Sequence, residues 1–277
     1  MKLSCDPILF FKEMTVDRTM SLESWFQMAA DLGLAGTEIQ HNCLRGYEPG
    51  YLEHIAQAVK AAGLEVSQFI SSPDFTSPDA EYRARQVERL KKHIEVAALF
   101  RATCVRVTAG QEYPGVSIEQ GIAWVEECLR ECLEYAARYR VWLAYENHYK
   151  DYFWERPDFS MKHEVYLAIL SRLRDTSLKV NFDCANPIMI GEDPVALLSQ
   201  VADRVVHVHA TDRATPFEYT HAAAGEGLVD YPGVFRILKG AGYDGWLSIE
   251  YNGLEGMEGL KRAIAYVKRT WSEVGTK

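Results

Sequence analysis

The chain has 277 residues, of which 48% are apolar and 25% charged, with a net charge of −9 and a pI near 5.4. A chain of this length buries a sizeable core without disulfides or structural metal. The acidity excludes a general affinity for nucleic acid or anionic membranes, which want basic surfaces, and no apolar stretch of about 18 residues predicts a transmembrane helix.

The opening "MKLSCDPILFFKEM" carries one lysine and a short apolar run broken by Asp6 and Pro7, unlike a secretory leader. A first strand is expected over Leu3–Leu9. Seven more β-like runs follow at Gly36–Gln40, Glu65–Ser71, Cys104–Thr108, Val141–Asn147, Leu178–Asp183, Val205–His209 and Trp246–Tyr251. A helical run follows each one, from "SLESWFQMAADLG" after the first to "LEGMEGLKRAIAYVKRTW" after the last. Gly33, Gly63 and Gly242 read as helix stops. "SPDA", "SIEQ" and "EDPV" read as helix starts. Eight βα units with no low-complexity linker between them predict one domain, a parallel (β/α)8 barrel over residues 1–277, with a doubly wound open sheet as the competing architecture. Cys5, Cys43, Cys104, Cys128, Cys132 and Cys184 form no C-x-x-C pair, which suits a reduced cytoplasm.

In such a barrel, function collects at the C-terminal ends of the strands. Those ends read "LAYENHYK", "KVNFDCAN", "VVHVHATDR" and "WLSIEYN" for the last four. Glu146, Asp183, His209 and Glu250 close them, each on the inward face by period-two alternation, with Asn181, His207 and Ser248 one layer below the last three. One carboxylate at a strand end is ordinarily a helix cap or an ion-pair partner. Three carboxylates and an imidazole converging on one mouth would repel without a cation. An oxygen-rich set with one nitrogen suits Mn²⁺ first, or Mg²⁺, and permits Co²⁺, Fe²⁺ or Zn²⁺.

Other residues have weaker claims. His148, two after Glu146, shares its face and is a substrate contact or a hydrogen-bonder behind it. Arg106 on the fourth strand binds substrate or pairs with a barrel carboxylate such as Glu38. Glu38 and His41 line the mouth or, as the safer reading, form a structural ion pair, and His207 reads as a core histidine. The loop "HYKDYFWERPDFS", with Tyr149, Tyr152, Phe153 and Trp154, suits a lid that stacks on a ligand or excludes water, or a subunit interface, which makes a homo-oligomer one expectation. "TDRATPFEYTHAAAGEG" is a second candidate lid. Lys150, Arg156 and Arg213 are the only cations nearby, which favours an unphosphorylated substrate.

With these motifs in place, the sequence resembles the xylose isomerase-like (β/α)8 superfamily of sugar (phosphate) isomerases and epimerases, which also holds AP endonucleases. "AYENH", "NFDCANPIMIGEDPVALL", "VVHVHATD" and "GEGLVDYPGVFRILKGAGYDGWLSIEY" carry the resemblance. It implies one divalent metal on Glu146, Asp183, His209 and Glu250, with the two glutamates as an acid–base pair on opposite faces of a bound ketose. Asn186 stands where ketose 3-epimerases carry a His, and their Arg has its nearest counterpart in Arg213, at a different spacing. A trinuclear zinc site of the endonuclease kind is not expected, because Asn186 and Tyr219 stand at two of its ligand positions. The chemistry implied is proton abstraction next to a carbonyl through a metal-stabilised enediolate. A small carbohydrate is the expected partner, contacted by His148, Asn186, Arg106, Trp154 and Arg213. The outcome is epimerisation, isomerisation, or elimination from a 3-keto sugar, inosose or dehydroshikimate-like substrate.

Overall fold

The computed structural model describes residues 1–275. Eight parallel strands form one sheet: β1 (Lys2–Cys5), β2 (Gly36–Gln40), β3 (Glu65–Ile70), β4 (Cys104–Val107), β5 (Trp142–Glu146), β6 (Lys179–Asp183), β7 (Val205–Ala210) and β10 (Trp246–Ile249). Their hydrogen-bonded order is β1-β10-β7-β6-β5-β4-β3-β2. The remaining seam, between β1 and β2, is bridged where Ala35 N donates to Leu3 O at 2.9 Å, so the sheet is a nearly closed (β/α)8 barrel. Helices α2 (Leu22–Asp31), α3 (Pro49–Ala61), α4 (Ala80–Leu99), α5 (Ile118–Tyr139), α6 (His163–Arg172), α7 (Pro194–Val201), α8 (Tyr231–Gly240) and α9 (Gly256–Glu273) surround it. No helix among the described residues is long and apolar enough to cross a membrane.

Local chemistry sets the helix ends. Asp79 caps α4 by accepting from Glu81 N and Tyr82 N, Ser117 caps α5 from Gln120 N, and Asp193 caps α7 from Val195 N. Gly33, Gly63 and Gly242 follow α2, α3 and α8 with φ of 69°, 75° and 74°, the left-handed conformation that a side chain resists.

The first strand is shorter than the expected Leu3–Leu9. Pro7 has no N–H to give a ladder, and the chain turns through a 3₁₀ stretch (Pro7–Phe10) into the short helix α1 (Phe11–Thr15). Asp6 is thereby left at the barrel rim. The loop after β7 also differs from a plain lid: it contains an antiparallel hairpin, β8 (Asp212–Arg213) and β9 (His221–Ala222).

The two faces of the strands differ in character. Outward residues such as Ile39, Phe69, Val105, Leu143, Phe182, Val208 and Leu247 are buried against the helices. Each large one contributes about 1.5–3 kcal/mol. Trp25 of α2 is fully buried there, and its indole N–H donates to Thr37 Oγ1 at 2.7 Å. The inward layer is polar: Ser4, Glu38, Gln68, Arg106, Asn181, His207 and Ser248 all have 7% exposure or less. Buried polar groups are ordinarily paired, and most of this layer is, although Ser4 Oγ and Ser248 Oγ have no hydrogen-bond partner among the described residues.

Candidate metal centre and active site

At the C-terminal rim, Glu146 (β5), Asp183 (β6), His209 (β7) and Glu250 (just after β10) come together. Their donor atoms all lie within 4.8 Å of one another. His209 Nδ1 stands 2.8 Å from Glu146 Oε1, 3.0 Å from Glu250 Oε2 and 3.8 Å from Asp183 Oδ2.

Asp183 is fixed by the backbone around it. The Asn147 side chain donates to Asp183 O at 2.8 Å and accepts from Asp183 N at 2.9 Å, extending the β5–β6 ladder by one amide. Asp183 Oδ1 accepts from Ala185 N and Asn186 N at 2.8 and 2.6 Å. That leaves Oδ2, which accepts from Thr211 Oγ1 at 2.7 Å, toward the cluster.

His209 is oriented from below. Its Nε2 lies 3.1 Å from Gln68 Oε1 and 3.3 Å from Glu38 Oε2. A histidine whose far nitrogen is held by a carboxylate presents the near one at a fixed angle, the arrangement that tunes metal-binding imidazoles. Burial favours the neutral ring, but Glu38, Glu146 and the hydrogen bonds of Glu146 and Glu250 outweigh it and raise His209 well above its ordinary range. Glu38 therefore serves His209 and His207 (Oε1 to Nε2, 3.6 Å) instead of Arg106 or His41.

Arg106 pairs with Glu146 (Nε to Oε2, 2.5 Å) and donates from Nη1 to Ser72 Oγ at 2.7 Å. Ser72 in turn donates to Asp151 Oδ2 at 2.5 Å in the loop after β5. Burial works to raise Glu146, yet Arg106 and then His209 hold it far below the usual carboxylate range. Glu250 has no guanidinium partner. Against burial, the hydrogen bond and charge of His209 bring it to about 2.

Above the cluster opens a cavity of about 730 Å³, within the range of small-ligand sites. Glu250, His209, Arg106, His148, Asp6 and Gln40 are among its walls, with Tyr149, Tyr152 and Tyr219 toward the rim.

Residues 26–270 match the model of the xylose isomerase-like TIM barrel family. The chain belongs to that family. An inosose dehydratase of Clostridium beijerinckii is 28% identical over 98 residues, which is 30% of this chain and 33% of that protein, so the match spans a third of the relative's length. Among solved structures, an L-ribulose 3-epimerase superposes with a TM-score of 0.81 at 17% identity, covering 99% of this chain and 96% of that one. The probable 3-DHS dehydratase AsbF of Bacillus anthracis gives 0.78 at 18% identity, covering 97% and 99%. At such identities the superpositions show the fold alone.

In this xylose isomerase-like chain, the other residues singled out from sequence lie at varied distances from the centre. His148 lines the cavity, with Nδ1 3.3 Å from Asp158 Oδ2 behind it. Trp154 packs edge-on against His148 at 5.5 Å, and Asn186 contributes its backbone N–H to Asp183; both stand outside the residues that line the cavity. Arg213 lies in the hairpin behind Tyr219. His207 Nδ1 meets Asn181 Oδ1 at 3.1 Å in the layer below.

Asp6 and Gln40 were not legible as site residues. Gln40 Nε2 donates to both Asp6 oxygens, at 2.7 and 2.9 Å, and both side chains line the cavity. Asp6 N donates to Ile249 O, which sets Asp6 beside Glu250 across the β1–β10 seam. Burial, Glu38 and Glu250 raise its carboxyl well above the ordinary range.

The residues present fit a divalent cation: three carboxylates and an imidazole converge, and their mutual repulsion is visible in Asp183. Burial, then Glu250 and Glu146, raise its carboxyl to about 6. Without a cation, folded Asp183 keeps a proton that the unfolded chain has lost above about pH 4, so this group's contribution to stability falls as pH climbs from there to about 6. A cation must displace that proton. The ring of His209, raised well above its ordinary range, holds a second proton that the cation must displace, so Mn²⁺ affinity is expected to rise with pH through about 6 and to keep rising above it. Calorimetric titration at about pH 5 and 7.5 measures this, and equal affinities at both would refute it.

Proposed function

We propose that this protein is a divalent-metal-dependent isomerase or epimerase of a keto-sugar, acting by proton abstraction next to a carbonyl. One observation supports it above the rest: Glu146 and Glu250 place carboxylate oxygens 2.8 and 3.0 Å from the same imidazole nitrogen, and Glu250 and His209 line a cavity of sugar size. Glu146, Asp183, His209 and Glu250 would hold a divalent cation, Mn²⁺ favoured, which would supply Lewis-acid stabilisation of negative charge developing beside the carbonyl.

The chain's own residues do the rest. Glu250 faces the cavity free of any guanidinium and takes the proton from the carbon beside the carbonyl. Glu146, kept ionised by Arg106, is the second acid–base group. A proton returned on the opposite face gives an epimer, and one moved to the adjacent carbon gives an isomer. His148 and Gln40 offer hydrogen bonds to sugar hydroxyls, and Tyr149 and Tyr152 limit water at the rim. Six free, buried cysteines suit a reducing, cytoplasmic setting.

A second reading, a dehydratase on a 3-keto sugar, inosose or dehydroshikimate-like substrate, is favoured by Asp6. Its raised carboxyl lies beside Glu250, placed to protonate a departing hydroxyl while Glu250 holds the proton removed from the neighbouring carbon. Water and an enone would be the products. The relative bearing the name inosose dehydratase points the same way.

The test is incubation of Mn²⁺-loaded protein with ketoses and keto-glycosides in D₂O, followed by NMR. Deuterium entering a carbon next to the carbonyl is the expected result. Loss of water would promote the dehydratase, and neither change across the panel would reject both.

A further inference from the structure

The hairpin after β7 holds a polar cluster that the acid–base reading leaves unused. Arg213 on β8 and His221 on β9 are cross-strand partners. Arg213 is 1% exposed, yet its Nε and Nη1 have no hydrogen-bond partner among the described residues, and neither has Nδ1 or Nε2 of His221. The Tyr219 ring covers the pair, 4.3 Å from the guanidinium and edge-on to His221 at 5.5 Å, and its outer side lines the main cavity. The adjacent carboxylate cannot serve: Asp212 Oδ1 accepts from Arg213 N and Val229 N, and Oδ2 from Gly225 N and Gly227 N. Asp183 and Glu250 act on this corner through their charge, the Glu250 backbone also reaches toward His221, and the Tyr219 hydroxyl faces the guanidinium.

A buried guanidinium with two nitrogens unpartnered is costly, because no hydrogen bond replaces the water they gave up. An oxyanion removes the cost. A carboxylate fits either edge of a guanidinium with two parallel bonds, and each edge of Arg213 includes one of its unpartnered nitrogens. A phosphate fits less well here. The backbone N–H groups that would cradle it, on Gly225, Gly227 and Val229, are already committed to Asp212.

We propose that this hairpin recognises a carboxylate of the substrate, with Arg213 as the cation, His221 as the flanking donor and Tyr219 as the ring that parts to admit it. The substrate class is then a keto-sugar acid. This rests on the reading of the main cavity as a keto-sugar site.

Matched pairs test it: D-fructose against D-fructuronate and D-tagatose against D-tagaturonate, with D-fructose 6-phosphate as a third arm, on Mn²⁺-loaded full-length protein. Binding is measured by calorimetry and proton exchange by NMR in D₂O. Each acid is expected to bind at least tenfold more tightly than its neutral partner. That ratio should fall to near one in Arg213→Met, recover in part in Arg213→Lys, and stay unchanged in the distant surface variant Arg130→Met. Melting curves confirm that each variant is folded. Equal binding of acid and neutral sugar overturns the inference, as does an acid preference that survives Arg213→Met or a stronger preference for the phosphate. Exchange into D-fructose without any gain for the acid removes this inference alone. Failure of every ketose and keto-acid to bind or exchange removes the keto-sugar reading and this inference with it.

Discussion

Glu250→Gln is expected to lower solvent-deuterium incorporation by about 10²–10⁴-fold at saturating Mn²⁺, the usual contribution of a positioned general base. The substitution preserves shape and one carbonyl oxygen. It removes the only member of the quartet that both borders the cavity as a carboxylate and lacks a guanidinium partner. The Glu250 side chain retains 13% exposure, against 1% for Glu146, so a substrate carbon reaches it first. Glu146→Gln makes an informative contrast. It strands the buried Arg106 without its carboxylate, so it should lower the melting temperature as well as activity, whereas Glu250→Gln, which loses a bond to His209 but relieves the repulsion on Asp183 and Asp6, should lower melting less. NMR rates and melting curves of both variants at several Mn²⁺ concentrations separate lost chemistry from lost metal. Turnover within tenfold of the parent in Glu250→Gln would remove Glu250 from the proton-transfer role.

The barrel was legible because its signals are local. Glycine stops precede β2, β3 and β10, capping residues open α4, α5 and α7, and period-two alternation carries Glu146, Asp183, His209 and Glu250 to the inward end of four strands. What lies between distant strands was not legible. Glu38 and His209 are 171 positions apart on β2 and β7. They meet only because the barrel closes, and no local pattern encodes that closure. The same holds for the Asp151–Ser72–Arg106–Glu146 chain, which joins two loops and two strands through side chains alone. Asp6 was hidden for another reason. An apolar run extending to Leu9 reads as one strand until Pro7 interrupts the ladder and leaves the carboxyl at the rim. The hairpin after β7 is only two residues on each side, too short to show alternation, so its sequence reads as a loop.

That hairpin depends on one side chain, and Asp212→Ala is expected to cost about 3–5 kcal/mol. Four backbone N–H groups converge on its two oxygens, at 2.9, 2.9, 3.0 and 3.1 Å. Each buried donor left without an acceptor costs about 1–3 kcal/mol, with water recovering part of the sum. For a chain of this size the melting temperature should fall by roughly 6–15 °C. The packing around the carboxylate allows no simple substitute. A Cβ on Gly227 would come 2.2 Å from Asp212 Oδ1, and Gly225 sits at φ 88°; both glycines let the loop wrap closely around the acid. Asp212→Asn keeps one oxygen and turns an amide toward the other two donors, so it should lose about half as much. The effect reaches beyond stability. Arg213 is the next residue and its N–H is one of the four, so loosening Asp212 should also weaken any preference for acidic over neutral sugars while Glu250-dependent exchange persists in the folded fraction. If Asp212→Ala melts within about 2 °C of the parent, the loop is held by contacts other than these four hydrogen bonds.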